Sequence, residues 1–272
     1  MKKLTCFLAL TAALLANNLE QIKLTKTIRI GIREALPPLS MQNADGESSG
    51  FEVELAKAIG KEIVGEDGKI ELVVLKANER IPFLKENKID IAVANLVQTK
   101  ERENDVEFSV PYLLSDLAVL THKDSAIKQI EQLSGKKILY TKGTTSEEYK
   151  NSGKLNADWI ECEGKIECFN MLQNDEADAY ISTNILLANL QLNDDKVELG
   201  IPRIGGSSSP TCVGAKKGNK ELINEVDKVI FKLSDSGFFT QQYTDYLEPY
   251  FKNTINKNYL ILDGFYKTLQ FK

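Results

Sequence analysis

The chain has 272 residues, 42% of them hydrophobic and 27% charged, the proportions of an ordinary globular protein and not of a disordered or membrane-embedded one. Its formal net charge of −5 excludes the basic footprint that nucleic acid or an anionic lipid surface requires. One histidine, His122, with no cysteine near it, and thiols at no zinc spacing argue against a metal site.

In chain order, the first residues read as an export signal. Lys2 and Lys3 precede an apolar run over 7–16 that is too short to span a bilayer and ends in small residues. That pattern predicts a signal peptide over 1–16, cleaved near Ala16, and a periplasmic mature protein; Cys6 opens the run instead of closing it, which argues against a lipid anchor. Residues 28–32 read as a short buried strand broken by Pro37 and Pro38, and Asp45 and Gly46 mark a turn. Phe51, Leu55, Ala58, Ile59 and Ile63 then recur at helical spacing, with Glu52, Glu54 and Lys57 assigned to the other faces. A strand over 70–75, a short helix over 80–85 and a strand over 89–94 complete a β-α-β-α-β alternation, the pattern of an open, mostly parallel sheet.

After 106–112 the rhythm restarts. Residues 117–121 read as extended, 127–133 as helical and 137–140 as extended, and a helix opens over 144–149. A strand over 157–161, a helix over 166–173 and a strand over 179–182 follow, so a second α/β unit is expected. GGSSSP at 205–210 has linker composition, which suggests that the chain returns to the first unit. There Val226, Val229, Ile230 and Leu233 give a helix, Gly237 a break, and 238–250 a last helix. Two such units joined by crossing strands leave a cleft beside the carboxyl ends of their strands. Cys162, Cys168 and Cys212 permit at most one internal bridge; a local Cys162–Cys168 disulfide and buried free thiols stand as equal alternatives, because nothing in the sequence fixes the Cα separation.

Five segments, in order, carry a resemblance: GFEVELAKAI at 50–59, ERIPFLKENKIDIAVA at 79–94, QTKERENDVEFSVPY at 98–112, KGTTSEEY at 142–149 and GAKKGNKEL at 214–222. Together they resemble the family-3 (polar amino acid) periplasmic solute-binding proteins of ABC transporters, closest to the cysteine-binding and aspartate/glutamate-binding branch of epsilonproteobacteria. The resemblance implies an α/β, two-lobed periplasmic binding protein fold (type II), each lobe an open mixed sheet flanked by helices. Residues 27–112 and 208–272 would form lobe 1 and 113–207 lobe 2, with hinges near 112–115 and 207–210. It also implies a monomer without a cofactor that docks transiently on a membrane ABC permease.

Within the resemblance, Arg102 matches the arginine that grips the ligand carboxylate, a fork of paired N–H donors that lysine cannot reproduce. Thr144 and Thr145, after Gly143, open a helix whose first amides would meet the same carboxylate from the other lobe. Arg33 and Arg80 are candidate contacts to the rest of the ligand, and Asn95 joins them after the third strand. Three positions depart from the family pattern. In the stretch 178–183 a threonine, Thr183, replaces the aspartate that binds the ligand ammonium; Val97 replaces a serine or threonine with the same role; and Leu39 replaces an aromatic wall. Losing the carboxylate partner should weaken ammonium binding by about tenfold or more. Three clustered cations, meanwhile, demand an anionic ligand or an acid such as Glu34. The expected ligand is therefore an acidic amino acid or a dicarboxylate. The alternative is a dehydratase-like enzyme of the same fold acting on a small carboxylic acid, but only Glu34 or Glu161 offers a general acid, and no nucleophile or phosphate-loop motif accompanies them.

Overall fold

A computed structural model of the protein describes residues 18–205, 208–251, 263 and 266; the expected signal segment lies outside them. A short helix, α1 (Leu19–Thr25), capped by the Asn18 side chain on the Gln21 amide, leads into strand β1 (Thr27–Arg33). A loop and a small hairpin, β2 (Met41–Gln42) and β3 (Ser48–Ser49), precede helix α2 (Phe51–Val64). Then come β4 (Lys69–Leu75), the short helix α3 (Arg80–Lys85), β5 (Ile91–Val93) and the long β6 (Val106–Ser115).

The second unit contains β7 (Leu117–His122), β8 (Lys137–Thr141), α4 (Thr145–Asn151), β9 (Asp158–Cys162) and α5 (Lys165–Gln173). It ends with β10 (Ala179–Thr183), α6 (Asn184–Asn193) and β11 (Val197–Ile201). The chain then returns through β12 (Ser209–Lys216) to α7 (Lys220–Asp235) and to a helical segment of α8 (Phe238–Gln242), a π turn (Tyr243–Leu247) and α9 (Glu248–Phe251).

Two five-stranded sheets result, ordered β4-β1-β5-β12-β6 and β11-β7-β10-β8-β9. Each is mixed: β4, β1 and β5 run parallel while β12 is antiparallel to β5 and β6, and β8, β9 and β10 run parallel while β7 is antiparallel to β10 and β11. Continuous burial along β5 and β10 follows from helices covering both faces, which turns an alternating pattern into an apolar run. The chain crosses between the sheets twice, at Asp116 and between β11 and β12. Those crossings are tied to each other by the Asp116–Arg203 ion pair at 3.4 Å and by the Ser115 and Thr211 hydroxyls at 3.2 Å.

Several expectations differ from the fold. The helix expected over 127–133 is only a 3-10 turn, Ile130–Leu133; Ile127, Ile130 and Leu133 repeat every three residues, which suits three residues per turn better than 3.6. Helix α6 and strand β11 had no assigned pattern, because α6 is buried along most of its length and shows no clear polar face. Glu52, assigned to a solvent face of α2, is fully buried. Cys162 and Cys168 form a disulfide with a Cα separation of 5.4 Å, and Cys212 is a buried free thiol.

Candidate functional site

The carboxyl ends of β1 and β5 in one lobe face those of β8 and β10 in the other, and a small cavity of ≈ 30 Å³ lies between them. From the first lobe it is lined by Arg33 at the end of β1, Leu36 in the following loop, Arg80 at the start of α3, Asn95 and Val97 after β5, and Arg102. From the second come Thr141, Thr144 and Thr145 around the start of α4, Lys165 at the start of α5, and Tyr180, Ser182, Thr183 and Leu186 around the end of β10.

Arg102 begins a 3-10 turn, Arg102–Asn104, and its amide donates to Thr99 Oγ1 at 3.3 Å. Its side chain reaches across the cleft: Nε pairs with Glu148 Oε1 at 2.7 Å, Nη1 donates to Val97 O at 2.9 Å, and Nη2 donates to Gly143 O at 3.4 Å. A guanidinium has two N–H groups on each Nη, so one on each is left without a protein partner among the described residues. Arg80 is tied more completely, with Nε on Ala77 O, Nη1 on the carbonyls of Ala94 and Asn95, and Nη2 on Gly143 O at 2.7 Å. Arg33 contrasts with both: it is 9% exposed, its Nε has no hydrogen-bond partner, and its side chain makes no ion pair among the described residues.

Burial lowers the pKa of all three arginines; for Arg80, the neighbouring charges of Arg33 and Arg102 add to the effect. Lys165 is half-buried, and desolvation followed by the charge of Arg33 pulls its pKa down to about 8. Glu52 lies behind Asn95. Burial holds its carboxyl above the usual range, although Tyr112 OH donates to Oε1 at 2.5 Å and the Asn95 amide donates to it at 2.7 Å. That amide bond, with Asn95 in a left-handed conformation (φ 49°), fixes the residue whose side chain lines the cavity.

The residues singled out in the sequence thus meet at one cavity, with one exception. Leu39 is fully buried in the apolar core, and Leu36, three residues earlier, takes the wall position. The start of α4 also differs in detail from the expectation of free amides. Thr144 Oγ1 accepts from the Ser146 amide, Thr144 O accepts from those of Glu147 and Glu148, and Glu147 Oε2 accepts from the Gly143 amide at 2.7 Å. Thr183 does not cap α6; its buried Oγ1 has no hydrogen-bond partner among the described residues, and neither has Asn95 Oδ1. Of the general-acid candidates, Glu161 is exposed and accepts from Tyr140 OH, and Glu34 lies at an outer mouth with Lys76, Glu163 and Glu167. Among the described residues no cluster of His, Cys, Asp and Glu suits a metal ion, and no helix is long and apolar enough to cross a membrane.

Lys165 escaped the sequence reading. It follows Gly164 at the start of a helix, where a lysine is ordinarily solvated, yet it is partly buried and lines the cavity.

The family model for bacterial extracellular solute-binding proteins, family 3, matches residues 28–249. The chain is 29% identical over 235 residues to an ABC transporter glutamine-binding protein of Bacillus subtilis, covering 85% of each. It is 27% identical over 259 residues to an L-glutamate/L-aspartate-binding protein of Pseudomonas aeruginosa, covering 90% of this chain and 85% of that one. Among solved structures, a cysteine-binding protein from Campylobacter jejuni superposes with a TM-score of 0.84 at 32% identity, covering 91% of this chain and 100% of that one.

Proposed function

The chain belongs to the bacterial extracellular solute-binding proteins of family 3, and from that premise we propose that it is the periplasmic ligand-capturing component of an amino-acid-type ABC importer. In this reading it acts as a monomer that closes by hinge bending on a small carboxylate, an acidic amino acid or a dicarboxylate, and then docks on a membrane permease. The relatives bind amino acids and are not enzymes by name, which favours binding over a dehydratase-like reaction.

The observation that carries the ligand class is the charge of the cavity wall. Arg33, Arg80, Arg102 and Lys165 line it, against Glu148 on Arg102 and the buried Glu52 behind Asn95, whose pKa is raised. A ligand ammonium, by contrast, would meet only neutral acceptors on that wall, Thr183 Oγ1 and Asn95 Oδ1. Carboxylate contacts drawn from both lobes favour the closed form, because the open form makes only half of them. Arg102 is the proposed first carboxylate grip, with Thr144 and Thr145 facing it from the second lobe and Val97 and Leu36 supplying the apolar wall.

Isothermal titration of the purified mature protein against glutamate, aspartate, cystine, succinate, 2-oxoglutarate, glutamine and arginine tests this. Tightest binding among the acidic members is expected. A preference for arginine or for a neutral amino acid would overturn the ligand class.

A further inference from the structure

Helix α4 carries two consecutive glutamates in its first turn, and they take different partners. Glu147 stays within its own lobe, where Oε2 accepts from the Gly143 amide at 2.7 Å. Glu148 pairs across the cleft, its Oε1 2.7 Å from Nε of Arg102. Arg102 lines both the inner cavity and a second opening between the lobes, whereas Glu148 lines that second opening, with Glu101, Asp105 and Asn151, and not the cavity. The pair therefore stands at the boundary between the two, and Glu148 reaches a solute in the cavity only through Arg102.

Another ionic contact across the cleft shows by contrast what this one is worth. Lys76 and Glu163 stand 3.7 Å apart with side chains 49% and 85% exposed, a pairing that water screens to little value. The side chains of Arg102 and Glu148 are 5% and 25% exposed. Burial disfavours the charge on Arg102, and Glu148 opposes that more strongly than Glu101 or Glu147 does. Separating the lobes removes Glu148 and the Gly143 carbonyl together; of the bonds described for the guanidinium, only the one to Val97 O, within the first lobe, survives.

Resting on the reading of Arg102 as the carboxylate grip, we propose that Glu148 is a positioning residue that straps Arg102 to the second lobe, favouring closure through the protein's own charges and slowing release of the captured solute. The closing contact needs no ligand atom, so the ligand-free protein samples the closed form. By the size of a hydrogen bond to a charged group, the strap shifts the closed-to-open ratio by about tenfold or more.

Small-angle scattering of the ligand-free protein and stopped-flow release of glutamate, each on wild type, Glu148→Ala and Glu148→Gln, test this. Ligand-free Glu148→Ala should have a larger radius of gyration than ligand-free wild type and should regain the wild-type value when saturated with glutamate, a recovery that a misfolded variant would not show. Its koff should rise by about tenfold or more. Glu148→Gln, which keeps an acceptor for Nε without the charge, should fall between the two in both measurements. Equal ligand-free radii in wild type and Glu148→Ala, or a koff unchanged by the substitution, overturns the strap. Failure of glutamate to bind wild type removes the carboxylate reading, while the ligand-free radii still decide the strap on their own.

Discussion

Replacing Gly143 by alanine should hold the lobes apart. Gly143 has a φ of 72°, and a Cβ added there would lie 2.6 Å from Asn78 Cα and 2.9 Å from Asn78 N, backbone atoms of the opposite lobe that cannot rotate away. The loop must then retreat, and the bond that retreats with it is the one from Arg80 Nη2 to Gly143 O, 2.7 Å long, together with the weaker one from Arg102 at 3.4 Å. A hydrogen bond to a charged donor contributes about 1.5–3 kcal/mol, so losing the Arg80 bond alone weakens closure by about tenfold to a hundredfold. Left-handed strain of about 1–2 kcal/mol adds to this, but it acts on the open and closed forms alike. Calorimetry with glutamate should therefore show a Kd raised by about tenfold or more, and small-angle scattering should show the ligand-induced fall in radius of gyration diminished. The ligand-free Tm separates the strain from the closure effect. Wild-type affinity together with wild-type compaction in Gly143→Ala would refute the reasoning that this loop seals the site.

Lys165 carries its charge below about pH 8 and loses it above. Succinate affinity should accordingly be constant below pH 8 and fall by at most about tenfold per pH unit above it. The charged groups around Lys165 are Arg33 and Glu34 at the end of β1, Lys76 after β4, and Glu163 and Glu167 on its own segment; Lys165→Met should flatten the profile, and a profile that keeps its slope in that variant would assign it to one of the others. The Cys162–Cys168 disulfide closes the short loop that carries Lys165, with a sequence separation of 6. By loop-closure entropy it contributes about 2 kcal/mol, so dithiothreitol or paired Cys→Ser substitution should lower Tm by about 4–8 °C, and an unchanged Tm would deny the bridge a structural role.

Much of this molecule was legible in the sequence because its signals are local. The apolar spacing of α2 and the short apolar strands β1, β5 and β10 each state their own structure, and Arg33, Arg80, Asn95, Val97, Arg102, Thr144, Thr145 and Thr183 arrive at one cavity because they flank the carboxyl ends of strands or the starts of helices. What escaped is decided between elements. Glu52 lies on α2 where a helical wheel shows a polar face, yet Tyr112, sixty residues on, and the Asn95 amide enclose it. Lys165 lines the cavity with Arg33 of the first lobe, a neighbour that nothing in its own segment announces. Leu36 and Leu39 are the same residue type in one loop, and nothing in their order tells which faces the cavity. The disulfide needed a Cα separation that no spacing supplies.

The most direct test of the account is the titration of Arg102→Ala with glutamate and succinate. Arg102 spans the cleft to Glu148 with one N–H on each Nη left without a protein partner among the described residues, and truncating a buried charged partner weakens binding by about 2–5 kcal/mol. The account predicts a Kd raised by about thirtyfold or more for both ligands with the folded state retained; capture at wild-type affinity would contradict it.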